Sequence, residues 1–244
     1  MTRSTRRPDL TVTVDVALLT VRHGRLCVLL SERSADPFAG TWALPGGTLG
    51  ADEDADDAAR SALSDATGIG VEPWHVEQLR TYTDPGRDPS GRSVSIAYVA
   101  FVPNVPAPRT TADAAGARFW PVEDVLDGGD DAPALAFDHE QILADAVERA
   151  RAKLEYTTLA TAFADEPFTI GDLRRVYEAV WGATLHPGNF TRKVLSTPDF
   201  VAPTGGHASR GPGRPALLYR AGDATALNPP ITRPSPGDDG IPTS

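Results

Sequence analysis

Carboxylates are concentrated in one stretch of this 244-residue chain, in a pattern that could hold a divalent metal ion. The stretch begins with Asp52, Asp54, Asp56 and Asp57. These four stand at the start of a predicted helix, where negative charge favours the helix N-terminus. Because Mg²⁺ and Mn²⁺ need several oxygen ligands at once, Asp65 alone supplies too few. We therefore interpret the acidic stretch as a solvated helix start rather than as a relocated metal site.

Basic residues are concentrated near the C-terminal end. Residues 151–220 contain nine basic and six acidic side chains, although the whole chain has a net charge of −10. The nine are Arg151, Lys153, Arg174, Arg175, Arg192, Lys193, Arg210, Arg214 and Arg220. A positive module on an acidic body suits a protein that meets a polyanion with one end only. The alternative is chance clustering of charge.

The length allows a domain of about 150 residues followed by a smaller one. No apolar run approaches the roughly 18 residues of a membrane-spanning helix, and no apolar segment of a secretory signal follows residues 1–8. We expect a flexible tail over residues 1–8, no membrane association and a cytoplasmic location. Cys27, the single cysteine, lies in an apolar run and is interpreted as a buried hydrophobe.

Hydrophobic periodicity predicts strands and helices over residues 9–151. Apolar residues alternate from Leu10 to Leu19 and resume at Leu26 to Leu30 after the turn His23-Gly24, which predicts a β-hairpin. Alanines at three- and four-residue spacings predict a helix over Asp52 to Ala66. The remaining predicted elements are strands over 76–82, 93–102 and 117–121 and an amphipathic helix over 138–154.

The last part of the chain predicts helices first and strands afterwards. The predicted helices cover 154–164, the stripe from Ile170 to Val180 between Thr169 and Gly182, and Pro187 to Ser196. Short strands follow over 200–202 and 216–219, on either side of a glycine-rich turn over 205–213. Three helices followed by a β-wing is the order of a winged helix-turn-helix. We place the domain boundary near Ala152 and expect residues 222–244 to form a disordered tail.

Residues 46–69 resemble the Nudix box, whose pattern is G-x5-E-x7-R-E-U-x-E-E-x-G-U, with U an aliphatic residue. The spacing fits without a gap, and the matching positions are Gly47, Glu53, Leu63, Gly68 and Ile69. Residues 37–45 are similar to the usual lead-in of this box. The resemblance implies an α/β Nudix fold, an α/β/α sandwich with a mixed sheet, over residues 9–151.

The residues that do the chemistry in Nudix enzymes are replaced here. The pattern has Arg-Glu where this chain has Ser61-Ala62, and Glu-Glu where it has Asp65-Ala66. In the enzymes those glutamates hold Mg²⁺ or Mn²⁺ against a diphosphate, and one metal activates the attacking water. We therefore expect a domain that binds without cutting, with no catalytic residue, no metal ligand and no required cofactor. Glu53 is expected to keep a structural role.

Residues 82–98 are similar to the corresponding segment of ADP-ribose-handling Nudix proteins, which implies an ADP-ribose-like nucleotide as ligand. Arginines could pair with diphosphate or ribose oxygens, and aromatic rings could stack on adenine, although core packing is the alternative for each ring. The predicted ligand-binding residues are Arg33, Phe38, Trp42, Gly46, Gly47, Arg87, Arg92 and Tyr98. Asp138-His139 is similar to the start of the family's closing helix, but a helix cap explains Asp138 equally well.

The C-terminal part resembles the NrtR family, the Nudix-related transcriptional regulators of NAD metabolism in bacteria. The matching segments, in order, are 154–157, 168–169, Leu173, 176–177, 189–193 and 213–219. Together with the Nudix box, this resemblance covers most of the chain. It implies a small winged helix-turn-helix domain over residues 152–221.

The helix over 187–196 has an inward and an outward side. Phe190 and Val194, together with Leu195, are expected to pack inward. Asn can read adenine and Arg guanine in the major groove, whereas Lys more often contacts phosphate. The predicted DNA-binding residues are Thr169, Asn189, Thr191, Arg192, Lys193, Arg210 and Arg214. The alternatives are a solvated basic face and a module that docks a protein.

The resemblance therefore predicts a homodimeric bacterial repressor of genes of NAD-related or pentose metabolism. Its winged helices would bind a palindromic operator in double-stranded DNA. An ADP-ribose-like effector in the Nudix domain would shift the dimer between geometries that fit the operator and geometries that do not. The alternative function is a Nudix hydrolase, an ADP-ribose pyrophosphatase with residual metal-dependent activity.

Overall fold

The computed structural model describes residues 9–68, 70, 75–103, 105, 114–129, 131–208 and 215–234. The strands are β1 (Thr11–Arg22), β2 (Arg25–Arg33), β3 (Trp42–Ala43), β4 (Gly46–Thr48), β5 (His75–Tyr82), β6 (Ser93–Phe101), β7 (Ala114–Pro121), β8 (Val201–Ala208) and β9 (Ala216–Ala221). The helices are α1 (Ala55–Thr67), α2 (Val122–Leu126), α3 (His139–Tyr156), α4 (Ile170–Trp181), α5 (Pro187–Ser196) and a 3-10 helix (Thr158–Phe163). None of the helices within the described ranges is long and apolar enough to cross a bilayer.

The chain divides into two compact units. The first consists of Met1–Leu19, Val28–Ala100 and Val105–Ala146, and the second of Thr20–Cys27, Phe101–Asn104 and Val147–Ser244. The predicted boundary near Ala152 lies inside α3, which continues without a break to Tyr156. The domain limits 9–151 and 152–221 therefore stay predictions. The tail over residues 1–8 and Ile69 lie outside the described residues.

The large sheet has the order β3-β2-β1-β6-β5, and in addition β4 pairs with β1 and β7 with β2. His23 and Gly24, at the turn between β1 and β2, have positive φ angles of 51° and 77°. Positive φ at both central residues is the geometry of a type I′ hairpin turn, so the predicted hairpin is confirmed. Val16 to Leu19 are all fully buried. Since successive side chains of a strand point to opposite faces, both faces of the sheet are covered at β1.

Helix α1 begins later than its alanine spacing predicts. The Asp54 carboxylate accepts the backbone N–H of Asp57 at 2.9 Å and caps the helix, so that Asp52 and Glu53 precede it. Asp56 and Asp57 then stand in the first turn, as a favourable helix dipole requires. Gly68 ends the helix in the left-handed conformation with φ of 72°.

The helix predicted over 154–164 is wrong. Helix α3 ends at Tyr156, and the rest of this segment contains a 3-10 helix, Thr158–Phe163, instead of an α-helix. The Thr157 hydroxyl accepts the backbone N–H of Leu159 at 3.3 Å, while Thr157 itself has an extended backbone. A threonine side chain that bonds to nearby backbone competes with an α-helix in this way, which explains the break.

The second unit contains the other two predicted helices, as α4 and α5, and the two strands predicted for the wing. Thr169 and Asp172 form the predicted capping box of α4, and Gly182 ends this helix in the left-handed conformation. Helix α5 begins with Pro187 at its first position, where the missing N–H costs nothing. Strands β8 and β9 pair antiparallel. The turn predicted over 205–213 is too long, because residues 205–208 belong to β8, with an irregular register between Pro203 and His207.

The tail expected to be disordered from residue 222 is wrong for residues 222–234. Leu227 and Ile231 are buried, with exposed fractions of 5% and 3%. Their backbone N–H groups donate to the carbonyls of Tyr156 at 2.8 Å and Glu155 at 3.0 Å. The last carbonyls of a helix have no partner inside it, so this segment caps the C-terminal end of α3. We refer to residues 222–234 as the C-terminal strap.

Candidate functional site

A cleft of about 450 Å³ opens in the first unit between the end of β2, the β3–β4 segment and α1. The strand side is formed by Ser31, Glu32, Arg33, Ala43, Leu44, Pro45 and Gly46, and the helix side by Ala62, Asp65 and Ala66. A cleft of this size can hold a small organic ligand. It is the first candidate site of the chain.

The helix side of the cleft consists of the positions at which the Nudix pattern has glutamates. Ala62, Asp65 and Ala66 lie three and four residues apart, and this spacing places them on one face of α1. Two of the three side chains are methyl groups. Among the described residues, no three His, Cys, Asp or Glu side chains form a group that could hold a metal ion. Asp54 and Asp56 have structural partners, since Asp54 caps α1 and Asp56 accepts from Tyr98.

Two predicted ligand residues lie together beside the cleft. Arg33 lines it, donates from Nε to the carbonyl of Pro37 at 3.0 Å, and lies over the Phe137 ring, 4.8 Å from its centroid. Phe38 meets the same ring edge to face at 4.9 Å. The sequence prediction did not include Phe137. Its position directly before the Asp138-His139 pair was the available signal.

Trp42 belongs to a different cluster. It precedes the cleft residue Ala43, but its ring packs edge to face against Trp120 at 5.3 Å. The Arg118 guanidinium lies over the Trp120 ring, 3.4 Å from its centroid. Trp42 in β3 and Trp120 in β7 come together because both strands pair with β2. No local sequence pattern could have predicted this contact.

The two predicted ligand glycines lie in β4, which pairs antiparallel with β1 in a register that aligns Val14 with Gly47 and Asp15 with Gly46. A Cβ atom on Gly46 would stand 2.2 Å from the carbonyl oxygen of Val14. Glycine is therefore required there for the close approach of β4 to β1. A Cβ on Gly47 would meet nothing within 4 Å.

Arg87 was predicted to meet a ligand, but its side chain is buried within a protein network. Its Nε and one terminal nitrogen donate to the two oxygens of Asp138 at 3.0 and 2.7 Å. The other terminal nitrogen donates to the Ser93 hydroxyl at 3.1 Å. The ligand role predicted for Arg87 is wrong, because its buried guanidinium already uses its donors on a carboxylate and a hydroxyl of the protein. Arg87 is a structural residue.

The same network contains a buried carboxylate and a histidine next to the cleft. His139 Nδ1 accepts the backbone N–H of the cleft residue Leu44 at 2.9 Å, and Nε2 lies 3.5 Å from Asp15. Asp15 also accepts from the Ser95 hydroxyl at 2.5 Å. Burial alone would raise the pKa of Asp15, but His139, Ser95 and Arg87 together lower it below its ordinary value. The network thus joins the start of α3 to the cleft wall.

Two further predicted ligand residues have structural partners instead. Tyr98 is buried in the core, and its hydroxyl donates to Asp56 at the start of α1 at 2.5 Å. Burial and the Asp56 carboxylate raise the pKa of Tyr98 above its ordinary value. Arg92 donates to the carbonyls of Thr83 at 2.9 Å and Asp84 at 3.3 Å, which braces the loop after β5. The buried position of Tyr98 contradicts the stacking role predicted for it, whereas the ligand role of Arg92 stays a prediction.

The second candidate site is the outer face of α5. Phe190 and Val194 are buried as predicted, whereas Arg192 and Lys193 are exposed and Asn189 and Thr191 are half-buried. Arg192 donates to the Asn189 side chain at 3.3 Å, which holds the guanidinium and the amide together. Leu195 was expected to pack inward and is instead 53% exposed, since it lies beyond the buried side of the helix.

The remaining predicted DNA-binding residues have different outcomes. The Thr169 hydroxyl donates to the Asp172 carboxylate at 2.7 Å and accepts the Asp172 backbone N–H at 3.1 Å, so its first task is to cap α4. Arg210 and Arg214 lie outside the described residues. Arg174 and Arg175 form ion pairs on α4 with Glu178 and Asp172. Arg192 and Lys193 are therefore the basic residues that α5 presents to solvent.

Comparison with known protein families finds two domains in the chain. The NUDIX domain matches residues 9–146, and the NrtR DNA-binding winged helix domain matches residues 161–221. The chain is 30% identical over 213 residues to the ADPR responsive transcriptional repressor NtrR of Acinetobacter baylyi. That match covers 87% of this chain and 82% of the relative.

Two solved structures are similar to one or both units. The crystal structure of Shewanella oneidensis NrtR complexed with a 27mer DNA has a TM-score of 0.73 at 33% identity, over 86% of this chain and 93% of that chain. The NUDIX domain of the same protein, complexed with ADP ribose, has a TM-score of 0.52 at 34% identity, over 62% of this chain and 94% of that chain.

Proposed function

Since the chain belongs to the NrtR family of Nudix-related transcriptional regulators, we propose that it is a transcriptional repressor that binds ADP-ribose and duplex DNA. The Nudix and winged-helix folds expected from the sequence are confirmed. The observation that carries the proposal is the face of α1 toward the cleft, where Ala62 and Ala66 replace carboxylates. That face can lie against a nucleotide but offers few ligands to a metal.

The cleft of the first unit is the proposed nucleotide site. Its volume of about 450 Å³ and the position of Arg33 in its wall support a diphosphate-containing ligand. Phe38 and Phe137 beside Arg33 would offer aromatic surface to a base or ribose. The relative whose NUDIX domain was solved with ADP ribose supports the choice of ligand.

We propose that this site does not hydrolyse its ligand. Asp65 is the single carboxylate that α1 contributes to the cleft lining, and a hard cation needs several oxygen ligands. The second candidate function, a weak ADP-ribose pyrophosphatase, is favoured by one observation, because Glu32 lines the same cleft as Asp65. Incubation with ADP-ribose and Mg²⁺ or Mn²⁺ decides between them. Release of AMP that Asp65→Ala abolishes would support the hydrolase.

The outer face of α5 is the proposed DNA-binding surface. Asn189, Arg192 and Lys193 supply the donors and the positive charge that read base edges and contact phosphates. A dimer would present two such helices to the two halves of a palindromic operator, and bound nucleotide would change how well both fit. The regulated genes would belong to NAD-related or pentose metabolism.

Fluorescence anisotropy with a labelled duplex from the promoter of the protein's own gene neighbourhood tests the proposal. We expect specific binding that weakens steeply with salt and is released by micromolar ADP-ribose. The double variant Arg192→Glu/Lys193→Glu should bind about 10- to 100-fold more weakly. The single variant Arg192→Glu should also weaken binding, whereas its charge-matched control Arg60→Glu, at an exposed position of α1 in the first unit, should retain it. Equal binding by Arg192→Glu and Arg60→Glu would refute α5 as the DNA-binding helix.

A further inference from the structure

Leu195 is exposed on α5 next to the residues proposed to bind DNA. Its exposed fraction is 53%, although its neighbour Val194 is fully buried. Large apolar side chains that are this exposed are few in the described part of the chain, and the others are Leu10, Tyr156 and Leu217. A leucine side chain has no charge and no hydrogen-bonding group, so on the proposed DNA-binding helix Leu195 can contact DNA only through apolar groups.

The helical spacing places Leu195 on one flank of the outer face. Successive side chains of an α-helix are turned by about 100°, so Arg192 points away from the buried pair Phe190 and Val194. On one flank of Arg192 lie Thr191 and Leu195, which carry methyl groups. The opposite flank carries Asn189 and Lys193, which are polar. The outer face of α5 therefore has an apolar side and a polar side.

The edges of DNA bases offer one apolar group in the major groove, the C5-methyl group of thymine. Apolar side chains recognise thymine there by removing this methyl group and themselves from water. We propose that Leu195 is a specificity-determining residue that contacts a thymine methyl group in each half of the operator. The inference rests on the proposed DNA-binding function and adds a base preference to it.

Thymine can be replaced by 2′-deoxyuridine, which removes the methyl group and keeps every hydrogen-bonding group. The full-length protein would first select its duplex from a random library, and each thymine of that duplex would then be replaced in turn. Burying one methyl group contributes enough for about a fourfold change in Kd. We expect a loss of this size for the wild type at one thymine per half-site.

The variant Leu195→Ala should bind the thymine duplex several-fold more weakly and should not respond to deoxyuridine at that position. Leu217→Ala is the matched control, since it removes a leucine of similar exposure, 47%, from β9. That control should keep the wild-type response to deoxyuridine. Because Leu195 is exposed, the two variants should melt at the temperature of the wild type.

Two results would overturn the inference. Indifference of the wild type to every deoxyuridine substitution would show that no methyl group is read. An unchanged deoxyuridine response in Leu195→Ala, whether or not this variant binds both duplexes more weakly, would assign the methyl contact to another residue. If the protein selects no duplex from the library, the proposed DNA-binding function is itself refuted, and the inference about Leu195 falls with it. This result is distinct from the others, which require a selected duplex.

Discussion

Replacement of Ile231 by alanine tests whether the C-terminal strap belongs to the folded second unit. Composition predicts that this residue lies in a disordered tail, where its replacement would cost nothing. In the structure Ile231 is 3% exposed, and its N–H donates to the carbonyl of Glu155 at 3.0 Å. Leu227 makes the equivalent bond to Tyr156, so the strap holds the end of α3 through two buried side chains.

The expected cost is about 2 kcal/mol of unfolding free energy, the lower end of the range for a buried isoleucine truncated to alanine. The lower end applies because a strap at the edge of a unit relaxes around a cavity more easily than a central strand does. Urea unfolding followed by far-ultraviolet circular dichroism measures the loss. Protection of the Leu227 and Ile231 amides from hydrogen exchange should fall with it.

Two neighbouring variants are controls. Thr232 is exposed, so Thr232→Ala should change the free energy by less than about 0.5 kcal/mol. Arg233 donates to both oxygens of Glu148, but the two side chains are 36% and 57% exposed, so Arg233→Ala should cost less than about 1 kcal/mol. If Ile231→Ala is as stable as Thr232→Ala, residues 222–234 are not packed and our reasoning about the strap is refuted.

Three further predictions concern the network and the cleft. Asp138→Asn should destabilise the protein by about 3 kcal/mol in urea unfolding, because the buried Arg87 loses the nearer of its two carboxylate partners and keeps only Asp15, at 3.6 Å; a loss below about 1 kcal/mol would contradict this. Asp15 has a lowered pKa, so its stabilising contribution is complete above about pH 4 and is lost as the pH falls through the folded-state pKa. Asp15→Asn should therefore reduce the loss of unfolding free energy that the wild type shows as the pH falls below about 4. An unchanged pH dependence would show that Asp15 does not contribute to it. Gly46→Ala should cost about 1–3 kcal/mol and weaken nucleotide binding measured by calorimetry, since its Cβ would lie 2.2 Å from the Val14 carbonyl oxygen; unchanged binding and stability would show that β4 can move away.

Local patterns predicted the elements well. The sequence was sufficient to predict the hairpin, α4 with its capping box and the bounds of α5. Turn residues, caps and hydrophobic spacing determine these elements through neighbours only a few positions away. The prediction of a continuous helix over 154–164 was wrong for a local reason as well. The Thr157 hydroxyl accepts a backbone N–H and so competes with the helical hydrogen bonds, and composition alone does not show this competition.

The candidate cleft was readable from the sequence only in part. The spacing of the Nudix pattern identified Ala62, Asp65 and Ala66 as the positions of interest, and these do line the cleft. The arginines could not be separated in the same way. Arg33, at the end of β2, lines the cleft and Arg87, in the loop after β5, is buried, yet in the sequence both are arginines within a few residues of a proline. Chemistry of the side chain indicates what it can bind, not which neighbour the fold provides.

Residue types and short-range spacing were sufficient to predict three features: the replaced glutamates of the Nudix box, the cap at Thr169, and the buried and outer faces of α5. Helix geometry brings the residues of each feature together whatever surrounds the helix. The pair of Arg87 with Asp138, 51 residues apart, and the bond from Arg233 to Glu148, 85 residues apart, depended on long-range packing. Leu195 is a different case, because it was grouped with the buried pair as an apolar residue although its helical spacing places it on a flank of the outer face, where it is exposed. Burial is a property of the assembled chain, since it depends on which surfaces meet, and no local pattern carries that information.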